Sequence, residues 1–291
     1  MSLTHIPGWT VEALYDDYAQ ALREQGVLYD SETALQRIRV FENARFGRVL
    51  TLDDVVQTTE ADEFIYHEML SHVPIIAHGA ARRVLIIGGG DGGMAREVLR
   101  HDSVEHVTMV EIDAAVVDFA QRYLPSLSAG AFDDPRLELV IADGAEYVAG
   151  DGSKFDVIIV DSTDPIGPGE VLFTDHFYAL ARGRLAAGGI LVTQNGVPFL
   201  QPEELEGTMR AFDALFADAT CYLATVPTYA FGPMAFGWAT DGGARCTDLA
   251  VLQARFDAAA IETRYYTPAV HAAAFALPGY VAALLPRSRR D

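Results

Sequence analysis

Acidic residues follow several apolar runs of the sequence, at points where a strand would end and its side chains could bind a ligand. These residues are Asp91, Glu111, Asp143, Asp161 and Asp164. In a parallel α/β sheet, ligands bind in a crevice outside the carboxyl ends of the strands. We therefore expect the five carboxylates to converge on one crevice and to favour a cationic ligand there.

The glycine-rich stretch Gly88-Gly-Gly-Asp-Gly-Gly93 follows the apolar residues 84–87 and precedes a helical pattern. Glycines at such a turn allow a sharp bend and a close approach of the backbone to a ligand. In a dinucleotide site this turn presents N–H groups to a pyrophosphate. The carboxylate of Asp91 would repel that group, so the ligand is expected to be cationic or neutral where it meets Asp91.

Two further positions indicate an adenosine group. Glu111 lies 20 residues beyond Asp91, the spacing at which an acidic residue binds ribose hydroxyls in nucleotide-binding folds. An exposed strand-end carboxylate is the alternative, and the preceding glycine turn makes it the weaker one. The pair Asp143-Gly144 could hold an adenine amino group, although Asp-Gly alone is only a turn signal.

The segment Asp161-Ser-Thr-Asp164 places two carboxylates three residues apart, before a loop rich in proline and glycine. That loop could close over the site as a lid, or its residues could simply form turns. Gln194 ends a later predicted strand, and Tyr229 follows another. Taken singly, these two residues are more often packing or surface residues than ligands, as are Tyr66 and His67 on a predicted helix.

The pattern before residue 60 is that of a small antiparallel β unit. Residues 35–42, 48–52 and 55–58 are strand-like and are separated by turns at 43–47 and 53–54. Thr59 and Asp62 resemble a capping box that opens the next helix. We expect an N-terminal β domain over residues 1–60 and a second domain over residues 61–291.

Strand and helix patterns alternate after residue 83, which predicts a mostly parallel, doubly wound α/β sheet. Strands are predicted at 84–88, 107–112, 137–142, 155–161, 189–193, 221–226 and 234–239. Helices are predicted at 93–100, 114–123, 175–185 and 202–215.

Composition narrows the class of partner. The chain of 291 residues has 41 acidic and 21 basic residues and a net charge of −20, which argues against binding to nucleic acid or to anionic lipid. Its two cysteines form no close-spaced motif, and no signal peptide is evident, so we expect a reducing cytoplasm. No apolar run approaches the roughly 20 residues of a membrane span. We expect neither a metal site nor a prosthetic group.

The order of motifs resembles that of the polyamine aminopropyltransferases, most closely the bacterial spermidine synthases. The resemblance runs from about Gly26 to Pro278. Its motifs are Leu52-Asp-Asp-Val-Val-Gln-Thr-Thr-Glu60, Asp62-Glu-Phe-Ile-Tyr-His-Glu-Met69, Gly88-Gly-Gly-Asp-Gly-Gly93, Val110-Glu-Ile-Asp113, Asp161-Ser-Thr-Asp-Pro165 and Pro227-Thr-Tyr229.

This resemblance implies a methyltransferase-like Rossmann domain beside an N-terminal β domain, in a homodimer or homotetramer. It also implies transfer of an aminopropyl group from decarboxylated S-adenosylmethionine to putrescine, giving spermidine and 5′-methylthioadenosine. Decarboxylated S-adenosylmethionine would thus be a co-substrate.

By motif position, the resemblance assigns roles to individual residues. Asp161 would accept the proton, with Tyr66 beside it. The donor would be bound by Gln36, Asp91, Glu111, Asp143, Gly144 and Pro168. The polyamine would be bound by His67, Asp91, Asp161, Asp164, Gln194 and Tyr229.

The sequence departs from the family pattern at two turns. Asp54 stands where the family usually has glycine, and aspartate tolerates that geometry. Phe231 and Pro233 replace smaller residues near the diamine end, so the length of the acceptor stays open. Trp9 is a further candidate for lining the diamine channel.

Three other functions would use parts of the same pattern. An amine methyltransferase would share the fold and the adenosine site, and a nicotinamide-dependent oxidoreductase would share the glycine turn. The charge of Asp91 argues against both. A non-catalytic polyamine-binding protein could dispense with Asp161 and Tyr66, which are both present.

Overall fold

A computed structural model of the chain describes residues 6–15, 17–163, 165, 167–242 and 245–287. The N-terminal part contains a two-stranded hairpin and a four-stranded sheet, both antiparallel. The strands of the hairpin are β1 (Trp9–Tyr15) and β2 (Tyr18–Arg23). The sheet follows the order β3 (Gly26–Glu32), β4 (Arg37–Asn43), β5 (Gly47–Leu52) and β6 (Val55–Thr59).

The predicted N-terminal antiparallel β-sheet is confirmed, with three strands that the pattern did not predict. The strand β2 is an example, since Tyr-Ala-Gln-Ala-Leu-Arg is partly exposed along its length and has no buried face. A strand without a buried face lacks the alternation of apolar and polar residues that identifies strands in a sequence.

The turn between β5 and β6 explains the two aspartates found there. Asp53 and Asp54 both have positive φ angles, 49° and 65°. A two-residue hairpin turn of this kind requires left-handed backbone at both central positions, and aspartate tolerates it better than most residues. The expectation for Asp54 is therefore confirmed.

The larger sheet has seven strands in the order β12-β13-β11-β10-β7-β8-β9. Its strands are β7 (Arg83–Gly88), β8 (His106–Glu111), β9 (Leu137–Ile141), β10 (Phe155–Asp161), β11 (Leu185–Gln194), β12 (Asp218–Ala224) and β13 (Met234–Thr240). β13 runs antiparallel to both of its neighbours, and the other six strands share one direction. The predicted, mostly parallel sheet is confirmed, and the reversed direction of β13 was not foreseen.

Helices cover both faces of this sheet. They are α1 (Glu63–His78), α2 (Gly93–Leu99), α3 (Ala114–Tyr123), α4 (Pro125–Ser128), α5 (Gly144–Ala149), α6 (Asp175–Arg184), α7 (Pro202–Leu215), α8 (Leu249–Ala259), α9 (Pro268–Ala274) and α10 (Gly279–Ala282). The prediction did not include α4, α5 or the three C-terminal helices. None of the described helices has the length and apolar character needed to cross a membrane.

The predicted capping box at the start of α1 is wrong. Thr59 belongs to β6, and α1 begins at Glu63 with Asp62 as the N-cap residue. The Asp62 carboxylate accepts hydrogen bonds from the Thr59 hydroxyl and from the Thr228 N–H and hydroxyl. It therefore ties the helix start to a distant loop and leaves the helix N–H groups uncapped by its side chain.

The central strand β7 is buried on both faces, as expected for a strand inside a parallel sheet. Leu85 and Ile87 pack into the apolar cluster on one face, and Val84 and Ile86 into the cluster on the other. This packing fixes the end of β7, where the glycine turn begins.

Candidate active site

A cavity of about 360 Å³ opens at the carboxyl ends of the strands. It lies where β7 is flanked by β8 on one side and β10 on the other, so the chain winds in opposite directions from this point. Such a switch point is where doubly wound sheets bind ligands. Predicted site residues that line the cavity are Gln36, Tyr66, His67, Asp91, Glu111, Asp143, Gly144, Asp161, Gln194 and Tyr229.

Two predicted residues are not placed in the cavity. Asp164 lies outside the described residues, and so does the side chain of Pro168. Their predicted roles in binding the diamine and the donor remain predictions.

Asp161 ends β10 and is joined to α1 by a hydrogen bond. The Tyr66 hydroxyl donates to Asp161 Oδ1 at 2.6 Å. Burial raises the pKa of Asp161 to about 6; the His67 charge acts to lower it and Asp91 acts to raise it. Burial and the charge of Asp161 raise the pKa of Tyr66 well above its usual value. Tyr66 is therefore a protonated donor, and Asp161 is a carboxylate with an increased affinity for protons.

Glycines in the turn after β7 let acidic and basic groups approach one another. Gly89 has a φ of 74°, and a Cβ there would lie 2.9 Å from Asp161 Oδ2. A Cβ on Gly93 would lie 2.3 Å from the His67 ring. Any larger residue at either position would displace a side chain of the cavity.

His67 is buried in α1 between two carboxylates. Its Nδ1 lies 2.5 Å from Glu63 Oε2, and its Nε2 lies 3.7 Å from Asp91 Oδ1. Burial acts to lower the pKa of His67, but the charges of Asp91 and Glu63 outweigh it and raise the pKa to about 9. His67 is thus a cation near neutral pH.

Asp91 does not face the cavity as an isolated charge. Its Oδ1 accepts a hydrogen bond of 2.8 Å from the Gly93 N–H. Together with the contact to His67, this bond holds the carboxylate at the turn after β7, where it lines the cavity.

Glu111 ends β8 and is 7% exposed. Its Oε1 accepts a hydrogen bond of 2.9 Å from the Asp113 N–H. Burial raises the pKa of Glu111 to about 7, against the lowering effect of the backbone hydrogen bonds from Asp113 and Ile112. The side chain therefore presents a hydrogen-bond acceptor to the cavity beside the glycine turn.

Asp143 both stabilises a turn, as the start of a helix, and lines the cavity, so the two interpretations of Asp143-Gly144 are compatible. It is the N-cap of α5, and its Oδ1 accepts hydrogen bonds from Ala145 and Glu146 N–H groups. It also lines the cavity with Gly144. The cap fixes the carboxylate and leaves Oδ2 without a hydrogen bond to these backbone groups.

Gln194 and Tyr229 are held by the backbone of neighbouring loops. The Gln194 amide donates to the Thr163 carbonyl oxygen at 3.2 Å and accepts from the Gly196 N–H at 2.9 Å. The Tyr229 hydroxyl donates to the Gln57 carbonyl oxygen, which lies on β6. The N-terminal β unit therefore contributes directly to this wall of the cavity.

The hairpin β1–β2 contributes cavity residues that the sequence pattern does not predict. Glu12, Tyr15 and Tyr18 line the cavity, whereas Trp9 lies at the start of β1 and is 40% exposed. The Tyr18 ring packs edge-to-face on Phe231 at 4.4 Å. In the sequence, these residues are indicated only by three polar or aromatic side chains within one hairpin, which is a weak indication of a binding site.

A doubly wound sheet with an acidic crevice at its switch point, preceded by an antiparallel β domain, defines a Rossmann-like α/β protein whose site suits a cationic small molecule. Comparison with known proteins makes the assignment specific. The sequence profile of the spermine/spermidine synthase domain matches residues 63–248, and that of the spermidine synthase tetramerisation domain matches residues 8–60. The chain belongs to the spermine/spermidine synthase family.

Individual relatives agree with this assignment over nearly the whole chain. A polyamine aminopropyltransferase of a Ruegeria species is 68% identical, covering 96% of this chain and 98% of its own. Polyamine aminopropyltransferase 1 of Pseudomonas aeruginosa is 58% identical, with the same coverage of 96% and 98%.

Solved structures show the same fold. A spermidine synthase in complex with the transition-state analogue AdoDATO has a TM-score of 0.89 and 40% identity, covering 95% of this chain and 94% of that chain. The spermidine synthase of Thermotoga maritima has a TM-score of 0.87 and 38% identity, covering 95% and 93%. The predicted family and fold are confirmed.

Proposed function

We propose that the protein transfers the aminopropyl group of decarboxylated S-adenosylmethionine to putrescine, giving spermidine and 5′-methylthioadenosine. The observation that carries this proposal is the hydrogen-bonded pair of Asp161 and Tyr66, which lines the same cavity as Asp91. The AdoDATO complex of a 40% identical spermidine synthase supports a nucleoside donor in this crevice.

The charge of the cavity suits these substrates. The donor carries a sulfonium and an ammonium group, and putrescine carries two ammonium groups. Asp91, Glu111, Asp143 and Asp161 all line the cavity. Because low-dielectric surroundings strengthen ionic attraction, these carboxylates offset the cost of bringing the cations together.

Asp91 gives a reason for the choice of donor. Ordinary S-adenosylmethionine has a carboxylate where the decarboxylated donor has hydrogen. A carboxylate placed near Asp91 would be repelled, and repulsion of the wrong ligand is an effective source of specificity. The proposal therefore assigns Asp91 to the aminopropyl end of the donor, with Glu111 on the ribose and Asp143 and Gln36 on the remainder of the nucleoside.

The nucleophile must be a neutral amine, whose free pKa is about 10.4. Only about one amine in 2,500 is neutral at pH 7, an uphill step of roughly 4–5 kcal/mol. Asp161 alone is too weak a base for full deprotonation, even with a pKa raised to about 6. We propose that the donor's sulfonium and desolvation lower the pKa of the amine toward that of Asp161, so that the proton can be transferred.

The reaction then proceeds by direct displacement. The amine nitrogen attacks the aminopropyl carbon bonded to sulfur, a C–N bond forms, and the C–S bond breaks. The sulfur keeps the electron pair and leaves as neutral methylthioadenosine. The proton of the new secondary ammonium passes to Asp161, which Tyr66 holds in position.

The remaining predicted roles fall on the diamine. Tyr229 and Gln194 form the wall beside Asp161, and Asp164 is assigned to the remote ammonium. The match of residues 8–60 to a tetramerisation domain supports a homotetramer or homodimer, which light scattering during size-exclusion chromatography would measure. A cytoplasmic location stays a prediction.

Product analysis tests the proposal. The protein is incubated with decarboxylated S-adenosylmethionine and a panel of amines, namely putrescine, cadaverine, agmatine and spermidine. A parallel reaction contains ordinary S-adenosylmethionine. Mass spectrometry should detect methylthioadenosine and spermidine, with putrescine as the best acceptor. Methylated amine from the ordinary donor would contradict the assignment of Asp91, and another best amine would contradict that of putrescine.

A further inference from the structure

A row of side chains with alternating charge extends from the cavity into the protein behind it. Asp91 contacts His67, His67 contacts Glu63, and Glu63 Oε2 accepts a hydrogen bond of 2.8 Å from the Arg96 guanidinium. Arg96 in turn contacts Glu97 Oε1 at 2.9 Å. Because these groups are largely buried, each charge depends on its neighbours for stabilisation.

His67 is the cation in this row that lines the cavity. The charged and titratable groups that face it are Glu63 and Tyr66 from α1, Asp91 from the glycine turn, and Asp161 from the end of β10. Three of the four are carboxylates. Arg96 on α2 reaches the ring only through Glu63. The ring itself is 3% exposed.

This arrangement conflicts with the proposed donor. The proposed function places the donor's ammonium and sulfonium beside Asp91 and Asp161. An imidazolium whose Nε2 lies 3.7 Å from Asp91 Oδ1 would repel both cations. A neutral imidazole in the same place would instead present a lone pair on Nε2, which can accept a hydrogen bond from an ammonium group.

We propose that His67 carries an exchangeable proton beside Asp91 in the free protein, and that this proton leaves for solvent when the cationic donor binds. The donor's ammonium then takes the place of the Nε2 proton as the partner of Asp91. The inference rests on the proposed function, since it requires a donor that is positively charged near Asp91.

Glu63 is assigned as the positioning residue for this exchange. The Nδ1 atom of His67 lies 2.5 Å from Glu63 Oε2, so Nδ1–H remains bonded to that carboxylate and Nε2 is the nitrogen that loses its proton. Arg96 fixes the same Glu63 oxygen from the other side. Glu63 therefore determines both the tautomer of His67 and the ease with which His67 is protonated.

Calorimetric titration in buffers of different ionisation enthalpy tests the proposal, because it counts the protons released on binding. The ligands are decarboxylated S-adenosylmethionine and neutral methylthioadenosine. At pH 8.3 both Asp161 and Glu111, with pKa values of about 6 and 7, are ionised. His67, with a pKa of about 9, is still largely protonated.

The expected result is release of close to one proton per donor at this pH, and of close to none per methylthioadenosine. His67→Gln should abolish the release while the donor still binds. Glu63→Gln should reduce it at pH 8.3 and move its maximum to lower pH. His106→Gln is the matched control, since His106 also contacts a carboxylate, Glu138, but lies at the opposite end of β8. It should release protons like the wild type.

Two results would overturn the inference. If the wild type binds the donor without releasing a proton, the inference about His67 is overturned, but the proposed function is not. Unchanged release in His67→Gln would assign the proton to another group. Failure of the wild type to bind the donor at any pH would instead overturn the proposed function, and the inference with it.

Discussion

The Tyr66 hydroxyl donates a hydrogen bond of 2.6 Å to Asp161 Oδ1, although the two residues are 95 positions apart in the chain. The bond joins the helix that follows the N-terminal β unit to the end of a central strand. Because the pKa of Tyr66 is raised by burial and by Asp161, the tyrosine remains a donor over the physiological range. It therefore fixes Oδ1 of Asp161, and the proposed transfer of the amine proton is assigned to Oδ2.

Replacement of Asp161 by asparagine should separate turnover from donor binding. The amide keeps the shape and can still accept from Tyr66, but it cannot take up the amine proton. We expect kcat to fall about 10²–10⁴-fold, the usual range for loss of a general base, with the donor Kd changed only a few-fold. Tyr66→Phe, which removes only the orienting bond, should cost about tenfold. Steady-state kinetics with putrescine would measure both, and wild-type turnover in Asp161→Asn would refute the assigned role.

The same substitution should stabilise the fold. Burial raises the folded-state pKa of Asp161 from 3.8 to about 6. A raised pKa of an acid favours its protonated form, so stability is full below about pH 4 and is lost as the pH rises through 6. Asparagine does not ionise, so Asp161→Asn should not lose stability as the pH rises. The variant should be more stable than the wild type by about 1–3 kcal/mol at pH 8, and by less at pH 4.5.

Urea unfolding at the two pH values would measure the difference. Asp102→Asn, at an exposed position before β8 and outside the cavity lining, provides the baseline for replacing a carboxylate by an amide. A variant that is less stable than the wild type at pH 8 would show that the carboxylate contributes net stabilisation through His67.

Local pattern was sufficient to predict the cavity residues that follow strands. Asp91, Glu111 and Asp161 each follow an apolar run, and the chain direction of a parallel sheet brings such ends together. The spacing of Glu63 and His67 is a further sequence signal, because residues four apart lie on one face of a helix. That signal would have predicted the ion pair behind the cavity.

Long-range partners could not be predicted in this way. The bond from Gln20 to the Thr228 carbonyl oxygen joins positions 208 residues apart, and nothing in either segment identifies the other. The direction of β13 is a second case, because a buried apolar strand has the same pattern whether its neighbours run parallel or antiparallel to it. The missed hairpin residues follow from the same limit, since only tertiary contact brings Tyr18 to the cavity.

Phe231 is expected to influence the length of the accepted amine. Its φ is 75°, which costs a non-glycine residue roughly 1–2 kcal/mol, and its ring packs on Tyr18 at the cavity wall. Phe231→Gly should remove the backbone strain and release Tyr18. We expect turnover of cadaverine or spermidine to rise several-fold relative to putrescine.

Phe231→Ala separates the two effects of that substitution. It removes the ring but keeps a Cβ at positive φ, so it should change the amine preference in the same direction. It should also be less stable than Phe231→Gly by about 1 kcal/mol. Competition assays with paired amines, together with thermal unfolding, would measure both effects. An unchanged preference in both variants would show that Tyr18 is held without Phe231.

Asp62 should be important for the position of Tyr229. It is buried and accepts hydrogen bonds of 2.8 Å from both the N–H and the hydroxyl of Thr228. Asp62→Ala leaves the Thr228 N–H unsatisfied in the interior, at a cost of about 1–3 kcal/mol. The KM for putrescine should rise more than the Kd for methylthioadenosine. Thr228→Val, which removes only the hydroxyl bond, should give a smaller change in the same direction, and equal changes for both ligands would argue against a local effect.

Binding of methylthioadenosine should weaken as the pH falls. Under the proposed assignment of Glu111 to the ribose, its carboxylate must be ionised to accept hydrogen bonds from two hydroxyl groups. Burial raises the pKa of Glu111 to about 7, so the free protein holds a proton there below neutrality and must lose it on binding. The affinity should therefore be nearly constant above pH 8 and should fall by up to about tenfold per pH unit between 7 and 5.

Glu111→Gln should bind about 10–100-fold more weakly at pH 8, as expected when a hydrogen bond to a charged group is replaced by a neutral one. It should also lack most of the pH dependence. Titrations of both proteins with methylthioadenosine from pH 5 to 9 would measure these effects, and a parallel pH dependence in Glu111→Gln would assign the titrating group to another residue of the cavity.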